Sequence, residues 1–366
     1  MHPVPNPRVL YAKIPGRAGL PVIGEHLVYD PSPTIDLDAP LNGGFLTKAI
    51  LLSPEPYMRE RLRDPSIASY STPMKVGHPL TSLGIVLVLR SEKDGVNAGD
   101  YMFGLTTWET YTVQPYVGAR VEYKNYPAYT VDVDSILLQR IQDPKGAFPW
   151  SRLCGCLGTP GISAFVGLER CGDAKPGETI YVSAGASGVG SMIIQLSKLK
   201  GLRVIASAST DAKVEYMHSL GADIAFNYKT LPVAEALEQH GPLDIYFDNV
   251  GGEQLEIAME NMNVNGRIIA CGSISEYNTP REERHGIKNT ALIFQRRLRI
   301  SGFIATDAPA LMARFMEEFP PLVAQGKIFS QEEVFVGLEN APRAFLSLFN
   351  GRSTGKPVVV LDPAYA

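Results

Sequence analysis

Gly185, Ser187, Gly188 and Gly190 stand close together in YVSAGASGVGSMIIQLSKLKG, between a β-like run and an amphipathic run. Gly185, Ser187 and Gly190 fall on a G-x-G-x-x-G frame, with serine at the middle position. Residues this small let a chain turn sharply out of a strand into a helix. They also let backbone N–H groups at the helix N-terminus approach a pyrophosphate. In a strand–turn–helix setting the pattern predicts a dinucleotide site. A Gly-rich turn that only packs helix on strand is the plainer alternative.

The next strand-like run ends IASASTDAK. A site for NAD usually carries Asp or Glu at that strand end, about 20 residues after the glycines, to bind the ribose 2′-OH. Here the strand end is Ala208-Ser209-Thr210, which would not repel a 2′-phosphate, and Lys213 lies one turn into the following helix. The expected cofactor is therefore NADP(H). Asp211 argues the other way, but it lies past the strand end, where a helix N-cap is the simpler role. For Lys213 the plain alternative is a solvated helix lysine.

KVGHPLTSLGIVL (75–87) places a Gly-His pair before an apolar run, as zinc alcohol dehydrogenases do with one metal ligand. A catalytic zinc needs three protein ligands and an open position. His78 is followed by Pro79, and the four cysteines, Cys154, Cys156, Cys171 and Cys271, all lie far downstream. Cys154-x-Cys156 alone is a poor pair, and no tight run of four cysteines exists for a structural zinc. No metal is expected, and His78 reads as a polar residue at a strand entrance. Without a metal, developing oxyanion charge has to be met by hydrogen bonds.

Residues 1–150 are rich in Pro, Gly and Tyr, with short β-like runs such as FLTKAILL, LGIVLVL, YTVQPY and ILLQRI between turn clusters. This texture predicts an all-β, barrel-like region. After CLGTPG it changes. ISAFVGLERCG reads as a helix ended by Gly172. Strands are expected at 179–184, 203–208, 223–227, 244–250, 266–272 and 298–305, alternating with helices such as GSMIIQLSKLKG and AKVEYMHSLG. That alternation predicts a doubly wound parallel sheet. A final helix, APRAFLSLF, and strand, KPVVVL, suggest a return to the first domain. The expected division is 1–150, 151–325 and 326–366, in an α/β fold class.

The 366 residues are 45% hydrophobic and 20% charged, with a net charge of −4, so no broad basic field for nucleic acid or anionic membrane is implied. No apolar run reaches the roughly 20 residues of a spanning helix. MHPVPNPRVL shows no secretory signal and the cysteines form no CxxC, so a cytoplasmic home is expected.

Further motifs carry a resemblance over nearly the whole chain. EPYMRERLRDPSIASY (55–70) is similar to a DPYMRxRM segment, and LGTPGISAFVGL (157–168) to LGMPGLTAY. NYKT (227–230), FDNVGGE (247–253), CGSISEYN (271–278) and GFI (302–304) follow in order. In these the chain resembles the zinc-independent medium-chain dehydrogenase/reductases. Within them it is most similar to the prostaglandin reductase, leukotriene hydroxydehydrogenase and plant alkenal double-bond reductase group. The resemblance implies a GroES-like β-barrel catalytic domain, built from both chain ends, around a Rossmann NADP-binding domain. It also implies hydride transfer from NADPH to the β-carbon of an α,β-unsaturated aldehyde or ketone.

Carried over by motif, Ser187, Gly188, Val189 and Gly190 form the pyrophosphate turn, and Lys213 and Tyr228 meet the 2′-phosphate. Asn249 contacts the cofactor. Cys271, Gly272, Ser273, Ile274, Ser275 and Tyr277 line its side of the site, and Phe303, Ile304 and Ala305 approach the nicotinamide amide. Tyr277 is implicated in positioning the nicotinamide ribose and the substrate oxygen. Two departures stand out. Ser353, in GRSTGK, replaces an asparagine that contacts the cofactor and reaches less far. Ala305 stands where a bulkier aliphatic is common, which would widen the pocket.

Hydride addition to an enone leaves an enolate, whose oxygen needs hydrogen-bond donors. Tyr277 and Tyr57 are the motif candidates and Tyr70 a third, although with 16 tyrosines in the chain any one could simply pack a wall. The proton could come from water. Arg59 reads as a structural ion-pair residue, and REERHGIKNT (281–290) as a solvated loop. QRRLRI leads into the last sheet strand, an edge that suggests a homodimer. A quinone oxidoreductase, a tailoring enoyl reductase of secondary metabolism and a cofactor-binding protein without turnover remain alternatives.

Overall fold

The computed structural model describes residues 3–114 and 138–365. The chain forms two compact units: residues 1–154 with 332–352 and 357–366, and residues 155–331 with 353–356. The sequence-based expectation ran 1–150, 151–325 and 326–366, and the differences have local causes. Trp150 packs on Tyr101 and Tyr365 at 4.6 and 5.3 Å, which holds 150–154 to the first unit. Phe329 exchanges backbone hydrogen bonds with the Gln195 side chain, which holds 326–331 to the second. Gly355 N–H donates to Ala186 O, which draws 353–356 there too.

In the first unit Phe45–Ser53, Thr81–Ser91, Tyr101–Thr107 and Gln139–Ile141 pair antiparallel in that order. Lys356–Val360 lies on the other side of Phe45–Ser53, with Glu332–Val336 beyond it, and Tyr111–Gln114 also pairs with Phe45–Ser53. FLTKAILLS is buried on both faces, which is why it reads as an almost unbroken apolar run. Register shifts at Leu46/Thr47 and Ala49/Leu51 bend this strand. Of YTVQPY, residues 115–116 lie outside the described residues, as do 136–137 of ILLQRI.

The second unit is a parallel sheet of six strands. Their order is Ile224–Asn227, Arg203–Ala208, Thr179–Val182, Leu243–Asp248, Met262–Ala270, Arg299–Gly302. All six strands overlap segments expected from the sequence, although the fifth starts four residues earlier than expected and the sixth ends three earlier. Helices Gly188–Leu199, Asp211–Ser219, Val233–His240 and Gly252–Glu260 connect them. The strand order reverses between Thr179–Val182 and Leu243–Asp248, the point where a doubly wound sheet opens a crevice at its C-terminal edge. The helix expected over 162–172 begins earlier, at Thr159, with Pro160 in its first turn, and ends in a π-turn over Leu168–Gly172. The α/β class expected from the sequence is the one found.

Candidate active site

The first strand of the parallel sheet, Thr179–Val182, ends at the crevice and delivers Ser183 to Ser187. Ala184 adopts φ 49°, and Ser187 N–H donates to Ala184 O at 2.9 Å, closing the turn. Ser187 is the N-cap of helix Gly188–Leu199, its Oγ accepting from Gly190 N–H at 3.1 Å. The serine at the middle glycine position thus satisfies one of the four N–H groups a helix start leaves open. Gly188 and Val189 follow at the head of the helix, where the N–H groups have no intrahelical acceptor. A Cβ on Gly190 would lie 2.3 Å from Ala184 O, and one on Gly185 2.6 Å from Met217 Sδ. The helix therefore sits directly on the turn, as a pyrophosphate cradle requires. Ser353 belongs to the segment that docks here: Ser187 and Gly355 form a parallel bridge.

At the end of Arg203–Ala208 the cap is Thr210, whose side chain accepts from Lys213 N–H; Asp211 is the first helical residue. This corrects the N-cap reading of Asp211. Lys213 is only 7% exposed, with Nζ 3.5 Å from Ser209 Oγ, so it is not a solvated helix lysine. Tyr228 is exposed, and its N–H donates to Ala208 O. The two residues thus flank one strand end, the place where the adenosine ribose binds in this topology.

Across the switch point Asn249 ties the two sides together. Its Nδ2 donates to Ser183 O at 2.8 Å and its N–H to Ser183 Oγ at 3.0 Å. Asp248 organises the turn: its Oδ1 accepts from Val250 N–H, Gly251 N–H and Tyr246 OH. Burial pushes the Asp248 carboxyl above its ordinary range, and those donors only partly offset it. The Tyr246 hydroxyl also lies 3.1 Å from Ser183 Oγ, and its ring stacks on Tyr181 at 5.1 Å between centroids. Sequence reading passed over Asp248, Tyr246 and Ser183. The signal for Asp248 was its place beside Asn249 at a strand end.

Residues 271–275 run along this turn. Cys271 and Gly272 N–H groups donate to Asp248 O, Ile274 N–H to Asn249 O and Ser275 N–H to Val250 O. A Cβ on Gly251 would lie 2.8 Å from Ser273 Cβ, so the two strand ends approach at glycine distance. The chain then brings Tyr277 back over Gly272: a Cβ there would lie 3.4 Å from Tyr277 Oη and 3.5 Å from Asn249 O. Tyr277, Gly272 and Asn249 are therefore neighbours at the crevice. Burial pushes the Cys271 thiol up to about 12, with the Asp248 charge adding to it, so it is an inert neighbour.

Phe303 turns its ring inward. It packs 6.5 Å from Phe247 and covers Gly167, where a Cβ would lie 2.6 Å from the ring. Ile304 and Ala305 follow, half-buried, into the turn Ala305–Asp307. Thr306 Oγ1 is buried with no hydrogen-bond partner among the described residues. Snug glycine packing, an enclosed lysine and this open hydroxyl all fit a bound dinucleotide.

In the first unit Tyr57 precedes the helical turn Met58–Arg61 and packs half-buried on a core containing Met58, Trp108 and Phe345. Tyr70 is 41% exposed. Arg63 fixes the backbone around it by donating to Ile67 O and Ser71 O. Arg59 is fully buried and donates to Gly16 O and Gly19 O. His78 lies in a turn, its N–H on Lys75 O and its carbonyl accepting from Tyr11 N–H. Among the described residues no group of three His, Cys, Asp or Glu side chains could hold a metal. Nor is any helix among them long and apolar enough to cross a membrane.

Two family models match: zinc-binding dehydrogenase over residues 188–322, and N-terminal domain of oxidoreductase over 33–120. A zinc-type alcohol dehydrogenase-like protein of Schizosaccharomyces pombe is 36% identical over 97% of this chain and 98% of its own. The NADP-dependent 2-alkenal reductase of Nicotiana tabacum is 36% identical over 90% of this chain and 91% of its own. The crystal structure of CurA from Vibrio vulnificus in complex with NADPH superposes with a TM-score of 0.81 at 30% identity. It covers 97% of this chain and 99% of its own.

Proposed function

This chain belongs to the zinc-independent medium-chain dehydrogenase/reductases, in the alkenal reductase group, and on that premise we propose that it reduces the C=C bond of α,β-unsaturated aldehydes and ketones. It is an NADP-dependent oxidoreductase. In the proposed reaction NADPH supplies the hydride, at the β-carbon, when bound. The chain's own residues do the rest. The turn Ser187–Gly190 holds the pyrophosphate, Lys213 and Tyr228 hold the 2′-phosphate, and Ser353 adds a hydroxyl beside the turn. Asn249 and residues 271–275 set the floor, and Phe303 to Ala305 the far wall. The second unit is then the NADP-binding domain.

Tyr277 carries the reading. Its hydroxyl lies next to Gly272, 3.4 Å from where a Cβ there would stand, with Asn249 O 3.5 Å from the same point, at the sheet crevice where ligands bind in doubly wound folds. A phenol there can donate to an oxygen that gains charge as the enolate forms. Tyr57 is the second donor on this reading, and Tyr70, exposed at the surface, the weakest. Water delivers the proton to the α-carbon.

The test is NADPH consumption with a short enone, a 2-alkenal, a phenylpropanoid enone and a quinone, with products identified by mass spectrometry. Saturated alcohols are run in reverse with NADP⁺. NADPH-selective C=C reduction supports the reading. Turnover of the quinone alone, or alcohol oxidation abolished by chelation, overturns it.

We further propose a homodimer in a cytoplasmic setting. Arg299–Gly302 is an open sheet edge, and Ile300, Val264 and Phe294 nearby are exposed. An uncovered apolar edge of this kind invites strand pairing. Sedimentation should give twice the mass of one chain, reduced to one by Ile300→Lys with Phe294→Glu.

A further inference from the structure

Asp211 is a carboxylate one residue beyond the cap of a helix that starts where the 2′-phosphate of NADP(H) is held. A carboxylate free to turn there would repel that phosphate and would accept from the ribose 2′-OH of NAD, as acids at this strand end do. It is not free to turn. Asn227 Nδ2 donates to Asp211 Oδ1 at 2.8 Å.

The amide is itself fixed. Asn227 is the last residue of strand Ile224–Asn227 and lies in register with Ala208 on the neighbouring strand. Its Oδ1 accepts from Lys229 N–H at 3.1 Å, and its carbonyl accepts from Thr230 and Leu231 N–H in the following turn. A backbone N–H can only donate, so Lys229 claims the amide oxygen and leaves the NH₂ for the carboxylate. The Asp211 side chain is thereby directed to strand Ile224–Asn227, at the edge of the sheet, while Lys213 lies against Ser209.

We propose that Asn227 is a positioning residue for cofactor choice: it clamps the Asp211 carboxylate away from the 2′-position and so preserves discrimination for NADP(H) over NAD(H). The clamp lets this chain carry an acid beside an NADP strand end. The inference rests on the placement of the 2′-phosphate at Lys213 and Tyr228.

The test is equilibrium binding of NADP⁺ and NAD⁺, by calorimetry, to the full chain and to Asn227→Ala, Asp211→Asn and the double variant. A freed carboxylate facing a phosphate across partly screened solvent should lower the NADP⁺:NAD⁺ affinity ratio about three- to tenfold in Asn227→Ala. Asp211→Asn should not lower it, and the double variant should return to within about twofold of the parent, because the clamp then has no charge to hold. Equal loss of both cofactors in Asn227→Ala overturns the proposal, as does a double variant no better than Asn227→Ala. Either would mean that the residue only shapes its turn. Asn227→Ser leaves a polar group at the strand end but is too short to hold the carboxylate. It carries the same expectation and serves if the alanine variant does not fold. A parent protein with no preference between the cofactors would instead overturn the 2′-phosphate placement, whatever the variants do.

Discussion

Replacing Gly190 by alanine should damage stability and cofactor binding together. The added Cβ would lie 2.3 Å from Ala184 O, 2.7 Å from Gly185 Cα and 2.9 Å from Gly185 C. These are backbone atoms of a turn already held by Ser187 N–H on Ala184 O and Gly185 N–H on Ser207 O, so no flexible side chain can give way. Relief to ordinary contact needs roughly 1 Å of separation between helix and turn. Overpacking of this kind costs about 2–3 kcal/mol. The same displacement spreads the N–H groups of the cradle, so NADPH affinity should fall by about tenfold or more, equivalent to about 1.4 kcal/mol. Two controls grade the effect. In Gly188→Ala the Cβ meets side chains rather than backbone, Pro160 at 3.1 and 3.2 Å and Lys356 Cβ at 3.5 Å, and the cost should stay below about 1 kcal/mol. In Gly286→Ala nothing lies within 4 Å, and stability should change by less than about 0.5 kcal/mol. Urea unfolding and NADPH fluorescence titration read both quantities. A Gly190→Ala protein as stable as the parent, with unchanged NADPH affinity, would refute the claim that close helix–turn packing builds the cradle.

Tyr277→Phe should lower kcat about 100-fold on an enone, the scale for losing one oxyanion donor, while NADPH titration shows little change; equal loss in both would make the residue a wall. Burial pushes Glu178 up, but the Arg267 guanidinium at 2.5–2.9 Å and the Lys175 N–H more than reverse this, leaving its carboxyl below the usual range. Its contribution to stability is therefore present above the ordinary glutamate pKa and is lost as pH falls through the folded value. Arg267→Met should flatten that acid limb of the unfolding profile, and an unaltered limb would count against the pairing. With its thiol near 12, Cys271 should be thiolate in only about one molecule in ten thousand at about pH 8. Alkylation mapped by mass spectrometry should leave it unmodified in the folded protein, and rapid labelling would contradict the raised thiol.

What could be read directly from the sequence was whatever local pattern determines. Six parallel strands and their helices follow from apolar runs bounded by turns. The phosphate turn follows from small residues at set spacing, because only they permit the approach now seen at Gly185 and Gly190. The second strand's lack of a terminal acid was likewise visible. Tertiary structure decided what depends on partners distant in the chain. Lys213 is enclosed because its helix packs on the strand end, and no helical period announces that. Asp211 looked like a cap until Thr210 proved to be the cap and Asn227, at the end of a strand, to hold the carboxylate. Asp248 became the centre of its turn only when Tyr246, Val250, Gly251 and the 271–272 backbone converged on it. The unit boundaries moved for the same reason: Trp150 and Phe329 follow their packing partners. Sequence period sets which atoms can form an element. Which side chains meet is set by burial and hydrogen bonding between segments, which no local window contains.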